Sequence, residues 1–590
     1  MGGFFKMFFA SLLALVIFSL IGFFIFLALI AGLSKGLATG DKPVVERNSV
    51  LVVNLSQPFQ EQLFESPLAN FSSNDELSIP GVYDVVRLIR KAGNDDKIKG
   101  IYLMSGISSN GFATSEEIRD ALLAFKKSGK FIIAYSEMMN QKSYHVANVA
   151  DRIYVNPKGF FDWTGFSSEL LFLKGTLEKL DIEPQIFYAG KFKSATEPFR
   201  TDKMTEENKL QTSVWLGDLY SHFLVKAAEA RKTDTATLHK LANEGTIKNP
   251  QDAVANKLID AVKYDDEVKD EIKDKLKLGK YDKINFISIN SYLKAGGYKR
   301  SSGERIALIY AQGAIIDGGG DDQGQIASAN YIKLIRKARL DKTIKAIVFR
   351  VNSGGGSALA SETIWRELSL AKQDKPVVVS FGDVAASGGY YISCAADSIF
   401  ASPTTITGSI GVFGIIPNME GFFKNKLGVT FDGVKTAPYA DLGSVYRPMN
   451  ENEKKFVQQS IDEIYLSFKQ RVADGRKKTV DYIDSIAQGR VWSGSKAIEN
   501  GLIDKFGGLQ DAVDCAARMA KLKDYRLREY PEIQNVFDRL FGGSKDNTLK
   551  TEMLKKELGE DQFKIYNEML RVKQMTNSAQ ARLPFEFFIN

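Results

Sequence analysis

Three features of this sequence could do chemistry together. The first is Ser387 in GDVAASGGYYISCAAD (382–397), a serine among small residues where a strand-type run gives way to a helical pattern. A serine at that junction sits beside the orphan N–H groups of a helix start, which favour developing negative charge. Taken alone it is also a good helix N-cap. The second feature is VNSGGGSALAS (351–361), three consecutive glycines directly after a strand. Glycines let backbone N–H groups approach a ligand closely, and such donors can build an oxyanion hole; a tight turn also takes glycine. The third is a base, which a nucleophilic serine needs. Histidine is the usual choice, but the chain has only His145, His222 and His239, and none after 239. Lysine is the alternative if an apolar site pulls its pKa down from about 10.4. QIFYAGKFKSATEPF (185–199) sets Lys191 and Lys193 among aromatic and small residues. A lone lysine would read as a solvated surface charge.

The elements that must position these groups occur twice. LIRKAGNDDKIKGIYLM (88–104) and LIRKARLDKTIKAIVFR (334–350) share nine of 17 residues at an offset of 246. The offset continues through 113–118 against 359–364 and 143–157 against 389–403, and KLID (257–260) meets GLID (501–504) at offset 244. A duplication of this extent organises the whole chain. Strand-type runs at 50–55, 100–104 and 131–136 recur at 306–311, 346–351 and 376–381, with helical patterns such as 115–129 and 361–374 between them. Strands alternating with helices predict βαβ units, an α/β class and a mostly parallel sheet. Long helical patterns follow at 205–232 and 450–477, whereas 531–590 has no repeat partner and reads as a helical extension.

The copies differ where chemistry would sit. Gly355 and Gly356 correspond to Ser109 and Asn110, Ser387 to Gln141, and Gly388 to Lys142. A serine and a glycine turn present in one copy and absent in the other point to a site that has degraded in the first. His145 corresponds to Tyr391 and reads as a packing position, and His222 and His239 lie in helical patterns. Lys193 corresponds to Tyr439, so each copy would hold one half of a dyad.

Composition narrows the rest. The 590 residues are 44% hydrophobic and 25% charged, which suits several packed domains. Two cysteines exclude a disulfide scaffold or a cysteine-rich metal site; Cys394 and Cys515 read as buried free thiols. A formal charge of +7 is small for this length and gives no reason to expect nucleic acid as a partner. Residues 7–34 carry no charge. As a helix they would run roughly 42 Å, longer than a bilayer core and longer than a cleaved signal's apolar region. A single uncleaved membrane anchor is expected there, with orientation left open by the flanking charges.

Taken together, the anchor, GKFKSATEPFR (190–200), VNSGGGSALASE (351–362), ASGGYYISCAAD (386–397), TGSIGVFG (407–414) and GRVWSGSKAIENGLIDKFGG (489–508) resemble the signal peptide peptidase A (protease IV) family of the long, duplicated bacterial type. The resemblance spans about residues 8–525. It implies two tandem ClpP/crotonase-like domains, here 48–300 and 301–530, behind an anchor and linker at 1–47. It implies a Ser–Lys dyad with Ser387 as nucleophile, Lys193 as general base from the other domain, and Ser409 orienting the lysine. Gly355 or Gly356 with Gly388 would hold the oxyanion, and no metal or organic cofactor would be needed. The family usually has proline before its two glycines; this chain has Gly354. The implied setting is a homotetramer on the outer, periplasmic face of the bacterial cytoplasmic membrane, cutting spent signal peptides and other apolar peptides. A non-catalytic membrane scaffold of the same fold is the competing reading, and an acyl-CoA-handling enzyme of the crotonase kind a more distant one.

Overall fold

A computed structural model of the chain describes residues 43–65, 78–320, 324–532 and 579–583, together with isolated positions between 3 and 25 and residue 559. Most of the expected anchor, 7–34, and most of the expected helical extension, 531–590, lie outside the described residues. Among the described residues no helix is long and apolar enough to cross a membrane.

The duplication is visible as two sheets with one strand order. In the first, Ala261–Val262, Arg152–Phe161, Phe131–Met139, Ile98–Met104, Ser49–Asn54 and Phe286–Ser288 run side by side, every pair parallel. In the second, Lys505–Phe506, Ser398–Ala401, Val377–Ala386, Ile344–Ser353, Glu304–Gln312 and Tyr525–Tyr530 repeat that order, again all parallel. The central strands are near-continuous apolar runs because helices cover both faces of a parallel sheet. Val378, Val379, Ile347, Val348, Ile306 and Ile309 are fully buried. The paired long helices repeat as well. Glu206–Arg231 starts at a Thr205 cap and Glu451–Arg476 at an Asn450 capping box, and each stops on a left-handed lysine, Lys232 or Lys477.

A third sheet joins the copies. Its order is Gln325–Ala327, Ala314–Ile316, Gly355–Ser357, Gln580–Arg582, Val412–Asn418 and Glu183–Ala189. Glu183–Ala189 belongs to the first copy and Val412–Asn418 to the second; they pair antiparallel from Val412↔Ala189 to Asn418↔Glu183. That register carries the chain just past Ala189 to the chain just before Val412, and so Lys193 to Ser409. Near the second copy's sheet, Arg350 is buried against two first-copy acids, Glu61 at 2.7 Å and Glu117 at 2.5 Å.

Candidate active site

The strand Val377–Ala386 ends on Ser387 with φ +55° and ψ −116°, a backbone conformation that side chains of L-residues rarely adopt. Such a strand-to-helix turn throws the side chain out of line and stores strain, of order 1–3 kcal/mol. Two bonds secure it: Ser387 N–H donates to the Gly408 carbonyl at 2.8 Å, and Tyr391 N–H donates to the Ser387 carbonyl at 2.8 Å. Ser387 is fully buried.

Lys193 arrives from the first copy. After the strand Glu183–Ala189 the chain turns through Gly190, φ +104°, and is tied down where Phe192 N–H donates to the Gln488 carbonyl at 2.8 Å. Lys193 is 1% exposed. Its Nζ lies 2.9 Å from Ser387 Oγ, 3.0 Å from Ser409 Oγ and 3.2 Å from the Ser409 carbonyl. As an ammonium it donates to all three; as a neutral amine it can accept the Ser387 proton. Burial alone pushes its pKa well below the ordinary lysine value of 10.5. Ser409, itself buried, is held at φ +50° by its N–H bond to the Arg490 carbonyl, 2.7 Å.

The glycine turn closes the site. Gly355, φ +94°, comes so near the Ser387 turn that a Cβ on it would lie 2.6 Å from Gly388 N. Its own N–H donates to Ser353 Oγ at 3.1 Å. Of the two glycines expected to supply a donor, Gly355 therefore provides room while Gly356 lies in a strand between Ile315 and Ala581. Gly388 N thus lies directly beside the glycine turn, and the departure at Gly354 leaves this turn intact.

In the first copy the same places are plugged. Asn110, in the position of Gly356, accepts from Phe59 N–H at 2.8 Å and donates to the Gln57 carbonyl at 2.9 Å. Gln141, in the position of Ser387, bonds both ways with Gly165 at 2.8 and 3.1 Å. His145 is a packing residue as expected, fully buried and edge-on to Phe112. It meets Glu116 and His222, a grouping the sequence reading did not foresee. His145 Nε2 lies 2.6 Å from Glu116 Oε2, a hydrogen bond. Two ligands of one tetrahedral zinc would stand about 3.3 Å apart. Tyr439, the residue at the Lys193 offset in the second copy, is exposed and packs on Phe456. Cys394 and Cys515 are free and buried, and burial pushes the Cys394 thiol up to about 12, which suits packing and not nucleophilic attack.

Two positioning residues gave no signal as single residues. Gln211 donates to the Phe192 carbonyl at 3.1 Å and to Ser194 Oγ at 2.9 Å, and accepts from Val491 N–H at 3.1 Å, so it spans both copies around Lys193. Gly489, φ +75°, packs so tightly that a Cβ would meet Lys193 at 2.7 Å. It lies inside the GRVWSGS motif, which was a family signature without a structural reason.

Comparison with known proteins gives the family. The model of peptidase family S49 matches twice, at residues 124–279 and 369–523, once in each copy. Protease 4 of Salmonella typhi is 36% identical over 537 residues, covering 88% of this chain and 86% of its own. The chloroplastic serine protease SPPA of Arabidopsis thaliana is 34% identical over 488 residues, covering 81% of this chain and 70% of its own. Among solved structures, a ClpP1 variant from Listeria monocytogenes aligns at 15% identity with a TM-score of 0.24, over 35% of this chain and 94% of that one. With the family model repeated in both copies and relatives similar along most of their length, the chain belongs to peptidase family S49 and is a serine peptidase.

Proposed function

We propose that Ser387 and Lys193 form the catalytic dyad of a membrane-anchored endopeptidase of ClpP/crotonase type that degrades cleaved signal peptides. The observation that carries this reading is the 2.9 Å contact between Lys193 Nζ and Ser387 Oγ. The lysine there is buried and has only neutral partners. Neutral Lys193 takes the Ser387 proton as Oγ attacks a peptide carbonyl. The Gly356 and Gly388 N–H groups hold the oxyanion. Ser409 Oγ and its carbonyl receive the ammonium that forms, and Lys193 then protonates the leaving amine. Water, deprotonated in turn by Lys193, releases the acyl group.

The substrate class follows from the surroundings. A cleft of about 370 Å³ beside the glycine turn has an apolar side of Phe112, Leu219, Ala314, Val384 and Ile406, with Lys142, Asn352 and Asp383 also on its lining. The apolar side suits the apolar core of a signal peptide. The charge-free run 7–34 would hold the enzyme near membrane-borne peptides and raise its effective concentration there. The resemblance adds a homotetramer on the periplasmic face of the bacterial inner membrane.

The test compares turnover of a synthetic apolar signal peptide by the wild type, Ser387→Ala and Lys193→Ala, with circular dichroism to verify folding. Loss of nearly all turnover in both folded variants is expected. Wild-type turnover in both would overturn the dyad and leave the membrane scaffold as the better reading.

A further inference from the structure

A second pocket lies at the end of the sheets opposite to Ser387. The strand Tyr525–Tyr530 pairs with Glu304–Gln312 from Glu304↔Tyr525 onward, at the amino end of the second sheet. Ser387 follows the carboxyl end of Val377–Ala386 in that same parallel sheet. At the amino end a cavity of about 360 Å³ opens between the first copy's helix Val82–Asn94, the connection at 297–300 and the strand Tyr525–Tyr530. Small-molecule sites occupy roughly 300–1,000 Å³.

The lining is cationic. Arg87, Arg90, Lys91, Lys299, Arg300 and Arg526 line it, and Glu529 is the one carboxylate on the lining. Three of these cations are neutralised: Arg87 by Asp84 and Glu529, Lys299 by Glu529 at 3.0 Å, and Arg300 by Asp524 at 3.5 Å. The other three have no carboxylate within ion-pair reach among the described residues. Lys91 Nζ donates to the Gly296 carbonyl at 2.6 Å and lies 4.3 Å over the Tyr292 ring. Arg526 donates to the Ser301 carbonyl at 3.0 Å. Arg90 is exposed and makes no hydrogen bond or ion pair among the described residues. The Nε atoms of Arg87 and Arg526 are buried with no hydrogen-bond partner among those residues.

Unneutralised cations gathered in one cavity repel each other, and buried N–H groups without acceptors cost free energy. A bound anion removes both costs. The donors come from a helix of one copy and a strand of the other, so the anion must offer oxygens in several directions. A phosphate does this, and guanidinium forks grip its oxygens two at a time. Leu527 and the rings of Tyr298 and Tyr525, also on the lining, give the alcohol side of an ester an apolar wall.

We propose that this pocket binds a phosphate ester, held by Arg90, Lys91 and Arg526, which ties the first copy's helix to the second copy's last strand. A free phosphate ester and an anionic phospholipid headgroup share this chemistry. The headgroup suits the position, because the chain enters the first sheet at this end. Ser49 N–H donates to the Lys97 carbonyl at 2.9 Å, and Asn94, three residues earlier, lines the pocket.

Calorimetric titration of the full chain in a nonionic detergent tests the site. The probes are glycerol 3-phosphate and dihexanoyl phosphatidylglycerol. Saturable binding of at least one probe to wild type is expected. Arg90→Glu and Arg526→Gln should each weaken it at least about tenfold. Arg90 is exposed and unpaired among the described residues, so its substitution spares the fold; circular dichroism verifies both variants. Lys424→Glu makes the same charge change as Arg90→Glu at an exposed site beyond the strand Val412–Asn418, and should leave affinity unchanged. Equal affinity for the two probes would uphold the site and assign it to a free ester. A tenfold preference for the lipid would uphold it and assign it to a headgroup. Absence of saturable binding to wild type would overturn the proposal, as would equal weakening by Arg90→Glu and Lys424→Glu.

Discussion

A lysine that serves as a base at neutral pH must be kept in a state the folded chain disfavours for its ammonium. Lys193 meets this by burial, with its pKa pulled well below 10.5. Two consequences are measurable. Peptidase activity should rise with pH along a single acid limb centred well below 10.5, as Lys193 loses its proton. Ser409→Ala removes an acceptor that favours the ammonium, so that limb should move to lower pH while kcat falls about 10-fold to 100-fold. The second consequence is for stability. Between the depressed pKa and the ordinary value, the unfolded chain holds a proton that the native chain lacks. Native stability should therefore increase with pH across that window, by up to about 1.4 kcal/mol per pH unit. Lys193→Met should abolish this slope and be more stable than wild type at neutral pH, with the advantage closing as pH approaches 10.5. Urea titrations at several pH values check it; equal slopes in the two proteins would show that Lys193 is not buried as an amine.

The elements that aim these residues were unevenly legible. Long helices such as Glu206–Arg231 and Glu451–Arg476 declared themselves by their helical patterns, and the parallel pairing followed from the βαβ alternation. Ser387 and Lys193 stood out because one copy of the duplication lacks what the other has. The pairing of Glu183–Ala189 with Val412–Asn418 was not legible, because the partners lie far apart in the chain and belong to different copies. Tyr439 matches Lys193 only in offset: between Asn418 and the helix at Glu451 the second copy has no strand like Glu183–Ala189, and Tyr439 goes to the surface. Gln580–Arg582 is too short for a pattern and gets its strand form from its two neighbours. Gly489 shows what local geometry adds. Its positive φ and its contact with Lys193 leave no room for a methyl group. Gly489→Ala should displace the lysine loop and lower kcat by about 10-fold to 100-fold, since a misplacement near 1 Å costs that much. KM for the same peptide should change little. An unaltered kcat would mean that the loop has slack the packing does not show.

At the scale of the molecule, the proposed dyad requires the two copies to stay docked, since Lys193 comes from one and Ser387 from the other. Arg350 is a buried charged tie between them. Its guanidinium reaches Glu61 Oε2 at 2.7 Å and Glu117 Oε1 at 2.5 Å in the first copy, and Ser380 Oγ and the Phe381 carbonyl at 2.8 Å in the second. Burial would favour a neutral side chain, but the two carboxylates outweigh it and hold Arg350 protonated. Glu117 also accepts from Leu509 N–H at 2.9 Å, and Asn352 Nδ2 donates to Glu61 at 2.9 Å, one residue before Ser353 and the glycine turn. The tie therefore runs from the first copy's acids into the strand that leads to the glycine turn. A buried pair adds little over a well-packed apolar one, but removing one partner leaves the other charge stranded. Arg350→Met strands two carboxylates and should cost about 3–5 kcal/mol in urea unfolding. Arg350→Lys keeps the charge without the fork that reaches both acids, and should fall between. In wild type, loss of peptidase activity and loss of helical signal should coincide, because neither copy keeps a complete site alone. In Arg350→Met, activity should disappear at a lower urea concentration than the helical signal, since undocking would separate Lys193 from Ser387 before either sheet unfolds. Coincident loss in that variant would mean that the third sheet alone is enough to hold the copies together.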